Sequence, residues 1–155
     1  MTPRIDFLKT SPKPIQLMLA MEGYLKSCGL DHGLLHLIKM RASQINGCAY
    51  CLDMHSKDAR AAGESEQRLY ALNAWDETPF FSERERAALQ WTQALTLVTE
   101  GHVPDAVYNS VREQFNEQEL VNLSFAITTI NAWNRLCVAL RAVPGTYQPA
   151  AHKAV

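Results

Sequence analysis

Ser43-Gln44-Ile45-Asn46-Gly47-Cys48-Ala49-Tyr50-Cys51, followed by His55, stands between two helical patterns. Asn46-Gly47 is a turn-favouring dipeptide that can end one helix and release the chain for the next. From Cys48 onward the chain offers good helix formers and no breaker until Gly63, a natural residue just past a helix end. A helix starting near Cys48 puts Cys48 and Cys51 three apart on one face, and His55 four after Cys51 on that same face. Cys48 and His55 are separated by roughly 10 Å of helix rise, so the imidazole serves Cys51 better.

Two forces can lower thiol pKa values here, and they act on different sulfurs. Free backbone N–H groups and the helix dipole favour a thiolate in the first turn, nearest Cys48. An imidazole one turn along can take the proton from Cys51 or stabilise its thiolate. A peroxide mechanism also needs a proton for the leaving oxygen, which His55 is placed to supply. Cys51 is therefore assigned as the attacking sulfur and Cys48 as the one that resolves it into a disulfide. Two other readings stay open at this point. Cys-x-x-Cys-x-x-x-His can supply three zinc ligands, with Cys28, His32 or His36 as the fourth, although no second clustered ligand pair is present. The two cysteines can also be inert core residues. Redox chemistry carries most weight, because Cys-x-x-Cys pairs in reducing compartments lean that way.

The chain has 155 residues, enough for one domain over 1–155 that buries roughly 70% of its unfolded surface without a disulfide staple. Its net charge is −1 with interspersed signs, so there is no basic stripe for nucleic acid. Gln16 and Glu22 interrupt the stretch from Ile15 to Leu25, and no segment approaches the ~20 apolar residues of a membrane span. The expectation is a cytoplasmic protein with no membrane role, in which Cys28 and Cys137 stay reduced.

The rest of the chain reads as helix after helix, without strand alternation or repeats. The first helix is expected from about Pro14 to Ser27, and Asp31 can cap a second carrying Leu34, Leu35, Leu37, Ile38 and Ile45. The cysteine helix follows, then a short one capped by Ser65, and a loop from Asp76 to Phe81. Ser82 with Glu85 forms a capping box for a helix to about Thr99; Pro104 opens a sixth. Asn116 with Glu119 starts a seventh that runs to about Arg141. This last helix is apolar nearly all round, as a central or subunit-contact helix is. Its Asn131, Asn134 and Arg135 share a face, and a satisfied structural network outweighs substrate binding as their role.

The segment from Leu37 to Gly63, with its SQINGCAYC core, His55 and Ala59-Arg60, resembles the alkylhydroperoxidase D family of the carboxymuconolactone decarboxylase superfamily. The likeness continues through Trp75, Phe81-Ser82-Glu83, Ala87-Ala88-Leu89 and the Ile130-to-Leu136 motif INAWNRL. It implies an all-α, single-domain orthogonal bundle of about seven helices, assembled as a trimer or hexamer. It also implies reduction of hydroperoxides by a cysteine pair, the second cysteine attacking and the first resolving, which maps to Cys51 and Cys48, with the family histidine at His55. The family's peroxidases place a proton-relaying glutamate twelve residues before the first motif cysteine, where this chain has His36. A neutral histidine can still exchange protons near pH 7. An ordinary interhelical role for His36 is equally open, and Glu22 is a replacement carboxylate. The resemblance further implies a dihydrolipoamide-bearing protein or a peroxiredoxin as thiol partner. No flavin or nicotinamide cofactor is expected, because the chain lacks G-x-G-x-x-G and alternating strands. The alternatives are a redox sensor or oligomeric binding protein, and a lactone decarboxylase that does not use a dithiol.

Overall fold

A computed structural model describes residues 1–149. Residues 150–155 of the single-domain expectation lie outside them. Among the described residues there are eight α-helices and two 3-10 helices and no strand. The order is α1 (Phe7–Thr10), α2 (Pro12–Leu25), α3 (His32–Ile45), α4 (Ala49–Ala61), α5 (Glu66–Ala71), α6 (Glu83–Thr96), α7 (Asp105–Arg112) and α8 (Glu117–Leu140). The 3-10 helices are Leu72–Glu77 and Val98–Glu100.

The count exceeds the seven helices expected because α1 is a separate four-residue turn, too short to show periodicity. Asp6 starts it by accepting from the Lys9 backbone N–H, and the Ser11 break before Pro12 separates it from α2. Asp31, Ser65, Ser82 and Asn116 cap their helices as their sequence positions demand, the last two in full capping boxes. Leu72–Glu77 extends helical structure into the stretch expected as loop, and α6 stops at Thr96, with a 3-10 turn replacing its last residues.

The bundle is organised around α3, which packs against α4, α6 and α8. Leu34, Leu35, Leu37, Ile38, Met40 and Ala42 bury most of its circumference. Each large apolar side chain so buried contributes about 1.5–3 kcal/mol. The helix expected on apolar content to be central or at a subunit contact, α8, is one-sided in this chain. Leu120, Leu123, Ile127, Ile130, Asn134 and Cys137 face inward at three- and four-residue spacing, while Val121, Phe125 and Val138 are 46–54% exposed.

The link from α3 to α4 decides where the sulfurs lie. Gly47 adopts φ +63°, a left-handed conformation that a side chain would strain. It lets the Gly47 and Cys48 N–H groups donate back to the carbonyls of Gln44 and Ser43, at 3.2 and 3.0 Å. This Schellman closure satisfies the end of α3 and delivers Cys48 as the residue that opens α4. Gly63 closes α4 in the same way, with Glu64 N–H donating to the Ala59 carbonyl at 2.9 Å.

A buried polar network fixes this link against α8. Asn46 Nδ2 donates to the side-chain oxygens of Asn131 and Asn134, both at 2.9 Å. Asn134 Nδ2 donates to Ser43 Oγ at 3.0 Å, and Ser43 Oγ donates to the Lys39 carbonyl at 2.7 Å. Asn131 Nδ2 donates to Thr96 Oγ1 at 3.0 Å, and Arg135 donates to Asn131 Oδ1 at 2.7 Å. The three polar residues of α8 thus have the structural role expected of them. Asn134→Leu leaves Ser43 without its donor and Asn46 with one acceptor fewer, a cost of about 1–3 kcal/mol. Thermal unfolding of that variant is expected several degrees below wild type; an unchanged midpoint would show that the network does not hold the turn.

Candidate functional site

The turn, α4 and α8 bring three sulfurs together. Cys48 and Cys51 Sγ lie 3.0 Å apart, and Cys137 Sγ from α8 joins them so that all three lie within 4.8 Å of one another. All three are buried and unbonded, in a cluster with Ala42 and Ile130 that Phe7, Tyr50 and Trp133 cover. Forming a disulfide from the Cys48–Cys51 pair requires closing their separation to the ordinary bond length of about 2.05 Å.

An apolar shell opposes charge on a thiol, so a negative charge among these three rests on the hydrogen bonds between them. Hydrogen bonds from Cys137 and Cys51, with a further one from Asn134, pull the Cys48 thiol well below its ordinary range. Cys48 also stands at the positive end of the α4 dipole. Cys51 donates to Cys137 and to Cys48, and these bonds together with burial push its thiol up; Cys137 in turn donates to Cys48, which pushes Cys137 up. The shifts run in opposite directions, so the cluster favours negative charge on Cys48 over Cys51 and Cys137.

Access is divided the other way. A cavity of about 640 Å³ is lined by Cys51, Cys137 and His55, while Cys48 is not among its described lining residues. Its apolar wall includes Phe7, Leu19, Met54 and Trp133; its polar wall includes Glu22, Lys39, Tyr50, Asp58 and Tyr147. The two ends of the described chain close it. Arg4 ties the N-terminal segment to the end of α8 through the Ala139 and Leu140 carbonyls. After α8, Gly145 N–H donates to Asp53 at 2.9 Å and Tyr147 Oη donates to Asp58 at 2.6 Å, strapping that segment across α4.

His55 is 6% exposed. Its Nδ1 lies 3.8 Å from an Asp58 carboxylate oxygen, which would favour the imidazolium. Burial outweighs that contact, because the separation is beyond hydrogen-bond range and Asp58 is already engaged by Tyr147. Burial first, then the Lys39 charge and His36, holds the ring down to about 3. His55 is thus neutral at physiological pH, and any proton it takes up is strongly acidic and quickly passed on. The unfolded chain binds this proton near pH 6.5 while the folded chain refuses it until about pH 3. His55's contribution to stability is full above pH 6.5 and is lost as pH falls toward 3, by up to about 1.4 kcal/mol per pH unit. Denaturant titrations between pH 7 and 4 should show this slope in wild type and a shallower one in His55→Gln; equal slopes would contradict a buried neutral ring.

The other expected residues divide into those at the cavity and those away from it. Glu22 is on the cavity wall, paired with Lys39 Nζ at 2.5 Å across α2 and α3. His36 lies on α3 and is the last of the groups that hold His55 down, but it is not among the described residues lining the cavity. The proposed fourth zinc ligands are outside the sulfur group. Cys28 Sγ lies 3.2 Å from the Leu25 carbonyl and His32 Nε2 lies 2.9 Å from the Lys26 carbonyl. Cys137, read from the sequence only as a reduced bystander, is the residue that sequence reasoning missed. Its one signal is that it follows Asn134 by three residues, one turn further along the inward face of α8.

Known proteins resemble this arrangement over most of its length. The uncharacterized protein YdfG of Bacillus subtilis (strain 168) is 43% identical, over 90% of this chain and 95% of its own. A protein of unknown function from Agrobacterium tumefaciens, described as a putative antioxidant defence protein AhpD, is 42% identical. Its crystal structure matches with a TM-score of 0.91, over 94% of this chain and 100% of that one. The alkylhydroperoxidase AhpD core protein from Ralstonia eutropha JMP134, an uncharacterized peroxidase-related protein, shares the fold at 19% identity. Its TM-score is 0.78, over 90% of this chain and 74% of that one. The model of the carboxymuconolactone decarboxylase family matches residues 12–94, the span that carries α2 to α6 and with them Cys48, Cys51 and His55, and the chain belongs to that family.

Proposed function

We propose that this protein is a thiol-dependent peroxidase that reduces organic hydroperoxides through Cys51 and Cys48. One observation carries the reading: a dithiol 3.0 Å apart whose second sulfur opens onto a cavity beside a buried neutral histidine. The Cys48 thiolate takes the proton of Cys51 across that short separation, so the charge reaches the accessible sulfur. Cys51 attacks the outer peroxide oxygen, the O–O bond breaks, and the alkoxide leaves with a proton as the alcohol. His55 is the proton carrier, with Glu22 or His36 connecting it to solvent. The Cys51 sulfenic acid is then attacked by Cys48, releasing water and forming the Cys48–Cys51 disulfide. Two thiols and one hydroperoxide give one disulfide, one alcohol and one water.

The apolar cavity wall suits an organic substituent on the peroxide, with Phe7, Met54 and Trp133 facing it. An external dithiol must reopen the disulfide, and a dihydrolipoamide-bearing protein supplies that chemistry, with a peroxiredoxin as a further thiol partner. Assembly into a trimer or hexamer belongs to the same reading, supported by the exposed Val121, Phe125 and Val138 of α8. A lactone decarboxylase has no use for three clustered thiols. The test is steady-state consumption of cumene hydroperoxide with a dihydrolipoamide-regenerating system, expected to continue for many turnovers. Clean disulfide formation with other oxidants and no peroxide turnover would favour a redox sensor.

A further inference from the structure

We infer that Cys137 is a third redox-active thiol, forming a disulfide with Cys51 from the cavity side. The sulfur-sharing cluster includes Cys137 on equal terms with the Cys-x-x-Cys pair, since all three Sγ atoms lie within 4.8 Å. Of the two sulfurs beside Cys51, Cys137 is the one that shares its cavity, whereas Cys48 lies behind it at the start of α4. A thiol brought this close to a nucleophilic cysteine on a rigid helix is in position to attack it once oxidised. The buried network holding α8 to the Asn46 turn keeps the two helices in this register.

The peroxide form of this step rests on the function proposed above. Cys51 as sulfenic acid is attacked by the Cys137 sulfur; the S–O bond breaks, water leaves with the Cys137 proton, and a Cys51–Cys137 disulfide forms. The Cys48 sulfur, which holds the proton taken from Cys51, can next attack Cys51, passing that proton to Cys137 as Cys137 is displaced as a thiol. That exchange moves the bond to Cys48–Cys51 with no net change in electrons. Cys51 therefore has a resolving partner on each side, and its sulfenic acid is short-lived even when Cys48 is unavailable.

Reduced Cys48→Ser protein is treated with one equivalent of cumene hydroperoxide or, in parallel, with the thiol oxidant diamide. It is then alkylated under denaturing conditions and its peptides are mapped. The expected product in both arms is the Cys51–Cys137 disulfide in most molecules, formed more slowly than the wild-type bond because the Cys48 thiolate is gone. Cys48→Ser/Cys137→Ser should instead stop at a Cys51 sulfenic acid that dimedone traps. Alkylated, unbonded Cys137 in the diamide-treated single variant overturns the inference. The diamide arm uses no peroxide chemistry, so a bond formed there without reaction in the peroxide arm upholds the third thiol and contradicts the peroxidase reading.

Discussion

Cys51→Ser is expected to reduce sustained consumption of an organic hydroperoxide to background, a loss of at least about 100-fold, while the protein keeps its fold. The serine hydroxyl is nearly isosteric with the buried thiol it replaces. The substitution does remove the one Cys-x-x-Cys sulfur that lines the cavity. Cys48 retains its thiolate but lies behind position 51 at the start of α4, so peroxide cannot reach it in line. A steady-state assay with a regenerated dithiol reads this directly, with circular dichroism confirming helicity. Activity kept within a few-fold would mean that attack occurs elsewhere, with Cys137 as the other cavity-lining sulfur.

The second large effect is expected at His55. Replacing a positioned proton carrier costs about 10²–10⁴-fold in rate. His55→Gln should fall in this range through kcat, with KM nearly unchanged, because the ring handles protons and contributes little of the apolar wall. A structural role alone would lower the amount of folded protein but leave kcat per folded molecule intact. Because the ring is held neutral down to about pH 3, the wild-type rate should show no step near pH 6.5 from this residue. A loss of rate through that pH that disappears in His55→Gln would show that the ring titrates in the ordinary range and is not buried in the working protein.

The part of this site that lies in continuous sequence was legible there. Asn46-Gly47 announced the turn, the spacing of Cys48, Cys51 and His55 announced one helical face, and Ser82-Glu85 and Asn116-Glu119 announced two helix starts, because each depends on neighbours within about one turn of chain. What depended on distant packing was not legible. Apolar content left α8 either central or at a subunit contact, and α3 takes the central place, since periodicity reports how much apolar surface a helix carries and not which part is covered. Cys137 gave no signal of its own, because its chemistry comes from meeting α4 across the bundle. The direction of the thiol shifts was also hidden. Sequence spacing gave Cys51 a histidine and Cys48 a helix end; the third sulfur, with Cys51 and Asn134, is what pulls the Cys48 thiol down.

The central claim is that the cavity delivers a hydroperoxide to a dithiol that takes up its oxidising equivalents. The most direct measurement adds one equivalent of cumene hydroperoxide to fully reduced wild-type protein, without any other reductant, and counts thiols and cumyl alcohol together. The account gives two thiols lost and one alcohol formed per peroxide, with Cys48 joined to Cys51 in the mapped peptides once exchange is complete. Intact peroxide beside four alkylatable cysteines would contradict it.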